Sequence, residues 1–355
     1  MLQNSPRRNF LMTLSALGGM TALGSSQFSM AANQAQWEFL PPLPISSGEL
    51  VGATVGNSLH VMAGLDDILY SPRGLSYRFD KGASTWTKLK DMPFPAHHIA
   101  IVAMNDKIYV FGGFVKPGEE KVWQPINNAW EYNPANDQWK ALAPMGKARG
   151  SAQAVVAGGK IYVIGGASSN AKTGPGTAIP RGSNAHIVVN DVEEYDPKTN
   201  QWRTRTPMPT PRNHFIAGEV GGKIYAINGR IGAVFVTLSA VTDLIEEYDP
   251  VNDTWLLVGR APTSRSDVGG GVYNGKIYVT GGEYQDAKRK MTFWVIEAYD
   301  PATKSWETLP HMQVARHGFA GAVLGNQLHI VGGSFQSDGM PGAASPMGSH
   351  EVIKL

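Results

Sequence analysis

The chain has 355 residues, 41 glycines, no cysteine and a formal net charge of +2 at pH 7. The absence of cysteine excludes disulfides, thiolate metal ligands and a cysteine nucleophile. Because 31 basic residues nearly balance 29 acidic ones, the composition indicates no basic surface for nucleic acid or for an anionic membrane.

The first 31 residues have the pattern of an export signal. Arg7 and Arg8 precede a moderately apolar stretch that ends near Leu23. This stretch is shorter, and richer in Gly, Ser and Thr, than a helix that crosses a bilayer. The segment resembles a twin-arginine signal peptide, 1–31, which implies export of the folded protein into the periplasm. We expect no membrane anchor once it has been cleaved.

Six copies of one hairpin pattern follow the signal. Each copy ends in a Gly-Gly pair or a close variant, and the six marker glycines are Gly64, Gly113, Gly166, Gly229, Gly282 and Gly333. Their intervals are 49, 53, 63, 53 and 51 residues, and a period near 50 in a glycine-rich chain is typical of a radial β-array. A two-residue turn such as Asn274-Gly275 lies inside each copy and predicts a tight hairpin.

Each period also contains a third strand, which ends in Tyr-Asp-Pro or a weaker equivalent, and then a tryptophan. Five tryptophans follow the aromatic residue of the third strand by seven positions: Trp86, Trp139, Trp202, Trp255 and Trp306. We expect them to begin the outer strand of each sheet and to pack between neighbouring sheets. The sixth period lacks this tryptophan, but Trp37 precedes the first hairpin and lies 49 residues before Trp86. The N-terminal segment therefore should supply the missing outer strand and close the ring.

This combination of glycine pair, Tyr-Asp-Pro and tryptophan resembles kelch repeats and covers the chain from Trp37 to Leu355. The resemblance implies an all-β fold, a six-bladed kelch β-propeller over residues 36–355 whose last blade is completed by the N-terminal outer strand. Kelch propellers include enzymes, adaptors and binding modules, so the fold leaves the function open. Galactose-oxidase-like copper enzymes share this propeller, but their tyrosine–cysteine cofactor cannot form without cysteine.

Functional residues are expected on the face that carries the connections between the second and third strands. These connections vary in length, and the longest spans residues 167–190, whereas the hairpin turns are minimal. Variable loops on a rigid scaffold are where binding residues collect.

An arginine recurs 17 residues before the marker glycine in four repeats, as Arg149, Arg212, Arg265 and Arg316. Two interpretations remain open. The arginines could form an electropositive ring that binds a carboxylate or phosphate through bidentate contacts. Alternatively, each could brace the blades through an acidic or carbonyl partner.

Positions that differ between repeats are better candidates for a site, because the scaffold does not require a particular side chain there. Two variable registers, two residues after the arginine and directly after the marker glycine, contain the candidates His98, His214, Asp267, Arg230 and Glu283. Kelch adaptors for acidic peptides contact their ligands from these registers, and Arg230 matches one of their arginines. A mixed ring of donors and acceptors also suits sugar hydroxyls, with a solvated rim as the alternative. Trp123 is a further candidate, as a stacking platform or as a side chain packed on its own loop.

The leading hypothesis is a monomeric, periplasmic binding module for a glycan or protein partner, without cofactor or metal, because no catalytic or metal-binding motif is present. The second hypothesis is similarity to periplasmic kelch-type sialic acid epimerases. There Arg230, or an arginine of the ring, would hold the carboxylate of a sugar acid while Glu283 or His214 moved the proton. The third is an accessory subunit of an exported redox enzyme, docked through the apolar segment 232–241, which could equally be a buried extension of a strand.

Overall fold

The computed structural model describes residues 36–66, 71–116, 123–169, 186–232, 240–286, 288–337 and 347–355. Within these ranges the regular structure consists of β-strands, with no α-helix. No helix capable of crossing a membrane is found among these residues. The predicted signal peptide, 1–31, lies outside them.

The first three four-stranded antiparallel sheets follow one another along the chain, after an N-terminal strand, β1 (Trp37–Leu40). Blade 1 contains β2 (Gly48–Val55), β3 (Ser58–Leu65), β4 (Pro72–Asp80) and β5 (Thr87–Lys88). Blade 2 contains β6 (Ala100–Met104), β7 (Lys107–Phe111), the short pair β8 (Phe114–Val115) and β9 (Gln124–Pro125), then β10 (Ala129–Asn133) and β11 (Gln138–Ala141). Blade 3 contains β12 (Gln153–Ala157), β13 (Lys160–Ile164), the short pair β14 (Ala167–Ser169) and β15 (His186–Val188), then β16 (Val192–Asp196) and β17 (Gln201–Arg205).

The other three sheets repeat the same order. Blade 4 contains β18 (Ile216–Val220), β19 (Lys223–Ile227), β20 (Leu244–Asp249) and β21 (Thr254–Arg260). Blade 5 contains β22 (Gly269–Tyr273), β23 (Lys276–Thr280), the short pair β24 (Glu283–Gln285) and β25 (Lys290–Thr292), then β26 (Ile296–Asp300) and β27 (Ser305–Leu309). Blade 6 contains β28 (Ala320–Leu324), β29 (Gln327–Val331) and β30 (His350–Lys354).

Strand β1 completes blade 6, whose sheet order is β28-β29-β30-β1. The register is antiparallel, with Trp37 opposite Ile353 and Leu40 opposite His350. The predicted six-bladed propeller and its closure by the N-terminal outer strand are therefore confirmed.

The glycine pairs are explained by the junction between blades. Gly165 has φ of +61°, and a Cβ atom there would lie 2.6 Å from the carbonyl oxygen of Arg212 in the next blade. The amide of Gly166 donates a hydrogen bond to that oxygen at 2.9 Å. Equivalent bonds join Gly113 to Arg149, Gly229 to Arg265 and Gly282 to Arg316. Glycine is favoured because it tolerates both the positive φ and the close backbone approach.

The tryptophans join each outer strand to the preceding blade. Each indole Nε1 donates to a backbone oxygen there, in the pairs Trp37–Pro310, Trp86–Pro41, Trp139–Lys90, Trp202–Ala143, Trp255–Thr206 and Trp306–Arg260. Rings such as Trp202 also pack on the third-strand aromatic residue of their own blade, with centroids 4.9 Å apart for Tyr195 and Trp202. Packing between sheets, as predicted, is confirmed, although Trp86 directly precedes β5 rather than lying within it.

The first strands of the six blades surround a central cavity of about 190 Å³. Small side chains line much of it, among them Gly52, Ala152, Ala217, Gly269 and Gly321. The hydrophobic core lies around this cavity in clusters between adjacent blades. One end of the cavity opens on the face that carries the second-to-third-strand connections, which we call the mouth face.

Candidate functional site

The four recurring arginines are fully buried and bind acidic side chains within their own blades. Their guanidinium groups contact a third-strand glutamate in the pairs Arg149–Glu193, Arg212–Glu246, Arg265–Glu297 and Arg316–Glu351. Arg149, for example, lies 2.7 Å from Glu193 and donates to the carbonyl of Val163 at 3.1 Å. Because their side chains are fully buried, this geometry favours the bracing interpretation over an electropositive ring.

Residues two positions after this register form a ring at the mouth of the cavity. The ring consists of Glu49, His98, Ser151, His214, Asp267 and Gly318, all with φ between 53° and 61°. We call these six residues the mouth ring. Backbone bonds connect its members, since Ser151 N donates to His98 O at 2.8 Å and Asp267 N donates to His214 O at 2.8 Å. The fold therefore holds five non-glycine residues in a left-handed backbone conformation. This conformation costs free energy, which contacts elsewhere in the structure offset.

The second variable register lies beside the mouth ring. Arg230 forms a backbone bridge with Asn213, and Glu283 forms one with Ser266, so both side chains are fixed at the ends of second strands. Arg230 and Glu283 form a buried ion pair. The predicted residues His98, His214, Arg230, Asp267 and Glu283 are thus brought into one network of contacts.

Glu283 is held strongly as a carboxylate. Ser337 Oγ donates to its Oε2 at 2.8 Å and Gln285 Nε2 donates at 2.9 Å. Burial alone would raise the pKa of Glu283, but His317, Arg230 and these hydrogen bonds together lower it to about 2. An acidic ligand would therefore compete with Glu283 for Arg230, and Glu283 is a weak base near neutral pH.

His317 is a residue that the sequence did not single out. Its Nδ1 lies 2.6 Å from Asp267 Oδ2, and its Nε2 lies 2.9 Å from the carbonyl oxygen of Gln336. Burial would lower the pKa of His317, but Glu283, Asp267 and Glu49 raise it to about 10. His317 directly follows Arg316, in a register whose side chains also vary between repeats, and this variation was the signal available in the sequence.

Two histidines of the mouth ring face each other across the cavity entrance. His98 Nε2 lies 2.9 Å from Glu49 Oε2, and the rings of His98 and His214 are 4.8 Å apart. Burial, with smaller contributions from Arg230 and His98, lowers the pKa of His214 well below its usual value. A neutral imidazole and a His–carboxylate pair can accept and donate protons at this position.

Trp123 packs among aromatic side chains next to the mouth ring. It is 8% exposed, and its ring centroid is 4.1 Å from that of His97 and 6.2 Å from that of Phe114. His186 Nε2 lies 3.2 Å from its carbonyl oxygen. Trp123 therefore packs into the wall of the mouth rather than presenting an open stacking surface.

Exposed apolar side chains lie on the mouth-face connections of blades 3 to 6. Among the described residues, half of the ten exposed large hydrophobic side chains lie on mouth-face connections: Ile187, Ile231, Met291, Trp294 and Phe335. We call these five residues the apolar rim. Trp294 is 53% exposed, and its ring stacks on His311 with centroids 4.5 Å apart.

Most of the segment 232–241, predicted as a docking loop or a buried strand, lies outside the described residues. Its described end returns to the mouth, because Ile231 N donates to Ala240 O at 2.9 Å and Val241 forms a backbone bridge with Arg230. The choice between the two interpretations therefore stays open.

Comparisons with known proteins agree on one architecture. The family model for the Attractin/LZTR1 β-propeller matches residues 77–339. Kelch-like protein terF of Aspergillus terreus is 26% identical over 330 residues, which cover 89% of this chain and 69% of that protein. Kelch-like protein 35 of Mus musculus is 25% identical over 286 residues, which cover 80% of this chain and 43% of that protein. The match therefore spans less than half the length of the mouse relative.

A solved structure, titled "Structure of YjhT", matches with a TM-score of 0.70 and 21% sequence identity, covering 87% of this chain and 95% of that one. At this identity the similarity concerns the fold alone.

Proposed function

The chain belongs to the kelch-repeat β-propeller family, and on that premise we propose that it is an exported binding module that captures a protein partner on its mouth face. Kelch propellers commonly bind protein partners. The observation that carries the proposal is the apolar rim on the same face as a buried, charged mouth.

The apolar rim has the composition of a protein-binding surface. Trp294, Met291 and Phe335 are exposed residues of types that are enriched at interfaces, and exposed apolar patches mark interaction sites. Thr292 Oγ1 donates to the carbonyl of Phe335 at 3.0 Å, so the rim segments of blades 5 and 6 support each other. The partner would cover this rim and contact the polar mouth.

Truncating the rim should abolish binding without unfolding the propeller. The test adds purified, signal-free wild-type protein or the double variant Trp294→Ala/Phe335→Ala to a periplasmic extract and quantifies the crosslinked proteins by mass spectrometry. The measurement is then repeated with the purified partner. Leu256→Ala is the matched control, because Leu256 is 61% exposed on outer strand β21. A partner that binds all three proteins equally would contradict the proposal.

A glycan is the other ligand that suits this face, since Trp294 offers a flat apolar surface to a sugar ring. A glycan array probed with the same three proteins separates the two ligands. Binding to a sugar, lost in Trp294→Ala/Phe335→Ala, would replace the protein partner with a glycan.

A sugar-acid mutarotase or epimerase is the second candidate function. The observation that favours it is the pair of imidazole–carboxylate contacts at the mouth, His98–Glu49 and His317–Asp267. His214 is neutral because it is buried and lies outside the ion pair that holds Glu283 to Arg230, so His214 is the residue to vary in the test. The test is anomer exchange of N-acetylneuraminic acid followed by NMR, with His214→Gln as the variant. A rate equal to that in buffer would count against this function.

Export is part of the proposal and has its own test. Replacement of Arg7 and Arg8 with lysine should leave the protein in the cytoplasmic fraction, because the twin-arginine route requires the arginine pair. Unchanged recovery from the periplasm would argue for another route.

A further inference from the structure

Three side chains from different blades converge at the mouth with the donor types of a metal site. Glu49, Asp267 and His317 belong to blades 1, 5 and 6, and each offers a donor atom within 4.8 Å of the other two. Their side chains are 14%, 13% and 11% exposed, so an ion can reach them from solvent. Glu49 and Asp267 also line the central cavity.

The surroundings of these side chains resemble the supporting shell of a metal site. His317 Nε2 lies 2.9 Å from the carbonyl oxygen of Gln336, and metal-bound histidines almost always donate their second nitrogen to such an oxygen. Glu49 is held by His98 at 2.9 Å, and ligating carboxylates are likewise hydrogen-bonded. The positive φ of Glu49 and Asp267, both 55°, fixes their backbones.

The charge of the cluster suits a divalent cation. Glu49, Asp267 and Glu283 contribute three negative charges, and Arg230 contributes one positive charge. With His317 as a neutral ligand, these four groups leave two net negative charges, which a divalent ion neutralises. Without metal, protonated His317 offsets part of this negative charge, and a bound ion takes over that role when it displaces the proton.

We propose that Glu49, Asp267 and His317 bind a divalent transition-metal ion at the mouth of the propeller. Imidazole and carboxylate together suit Zn²⁺ or Mn²⁺, whereas Mg²⁺ and Ca²⁺ prefer oxygen donors alone. The ion takes the place of the direct contact between His317 Nδ1 and Asp267 Oδ2. Three protein ligands leave coordination positions open toward the cavity, for water or for a group of a bound ligand.

The sequence predicted no metal because the three ligands lie 218 and 50 residues apart and form no spacing motif. Ring closure brings them together. Since the ion connects blades 1, 5 and 6, its binding should raise the melting temperature of the propeller.

The test uses the signal-free protein after chelator treatment. Equilibrium dialysis against ZnCl₂ or MnCl₂ measures bound metal, and thermal unfolding measures stabilisation. We expect the wild type to bind a single ion per chain and to melt at a higher temperature with metal. Glu49→Gln and Asp267→Asn should each weaken binding by about tenfold or more.

Asp243→Asn is the matched control, because Asp243 pairs with exposed Arg260 away from the cluster. It should bind metal as the wild type does. Circular dichroism without metal shows whether each variant folds, and His317→Gln replaces any variant that does not. The proposal fails if the wild type binds no stoichiometric ion, if the folded ligand variants bind as tightly as the wild type, or if Mg²⁺ is bound equally well.

Discussion

At the mouth ring, backbone conformation is repeated while the side chain varies. All six positions have φ between 53° and 61°, yet Gly318 is the sole glycine among them. This is why register counting from the marker glycines led to His98, His214 and Asp267. It could not show that Arg230 pairs with Glu283, because that contact joins residues of different blades. His317 belongs to a third variable register, directly after the arginine, which the sequence analysis did not use.

Substitutions in the Gly-Gly pair can separate the cost of a positive φ from the cost of a clash between a Cβ atom and the neighbouring backbone. Gly165→Ala should destabilise the protein by about 3 kcal/mol, because its Cβ meets the carbonyl of Arg212 as well as a positive φ. Gly158→Ala in the same blade is the control, since Gly158 has φ of +55° with no described atom within 4 Å. It should cost about 1 kcal/mol. If both variants lose the same free energy of unfolding in urea, the positive φ alone explains why glycine occupies the Gly-Gly pair.

At the scale of the element, the recurring arginines tie the third strand to the segment that enters each blade. Arg212 contacts Glu246 in β20 and donates to the carbonyls of Asn228 and Leu244, both at 3.0 Å. The sequence revealed the arginine register but left two interpretations open, because it does not show which acidic residue faces the guanidinium. Three of the four glutamates precede Tyr-Asp-Pro segments and the fourth, Glu351, lies in the last strand; the sequence did not indicate that they are buried.

Removing one partner of a buried arginine–glutamate pair should destabilise the propeller more than replacing both partners. Glu246→Gln leaves the Arg212 cation buried without a counter-charge, and we expect a loss of about 3–5 kcal/mol in urea unfolding. The double variant Arg212→Met/Glu246→Met should lose less than Glu246→Gln, because no buried charge remains. A double variant that unfolds more readily than the single one would contradict this account.

At the scale of the whole molecule, the seam between blades 6 and 1 differs from the other junctions. His329 and His350 are buried there, with His329 Nδ1 2.8 Å from His350 Nε2, and the ring of His350 packs on Phe79 and Trp86. The closure itself was predictable from the position of Trp37. The histidine pair at the seam was not singled out, because His329 in the second strand has the same place in the repeat as tyrosine and the sequence does not show that His350 of the third strand faces it.

Acid should weaken this seam. Burial lowers the pKa of His329 to about 4 and that of His350 to about 3, below the usual value of about 6.5. The unfolded chain therefore binds protons first as the pH falls. The contribution of the two neutral histidines to the free energy of unfolding is fully present above pH 6.5. It is lost as the pH falls toward 4, by about 1.4 kcal/mol per histidine and pH unit.

His350→Ile should reduce that loss, because isoleucine occupies the equivalent position in β26, Ile296. Urea unfolding at pH 7 and pH 4.5 measures the difference for both proteins. An identical pH dependence would show that other groups control acid stability. Val272→Ile, a surface substitution in β22 that changes no titratable group, is the control and should keep the pH dependence of the wild type.

The pairing of β1 with β30 sets an order of events during synthesis. Trp37 leaves the ribosome early, but its partner Ile353 is made 316 residues later. Until then blade 6 lacks an edge partner, and the early blades have no neighbour on one side. Translation can therefore produce an open crescent of blades, and the ring closes only after β30 has been made and has left the ribosome.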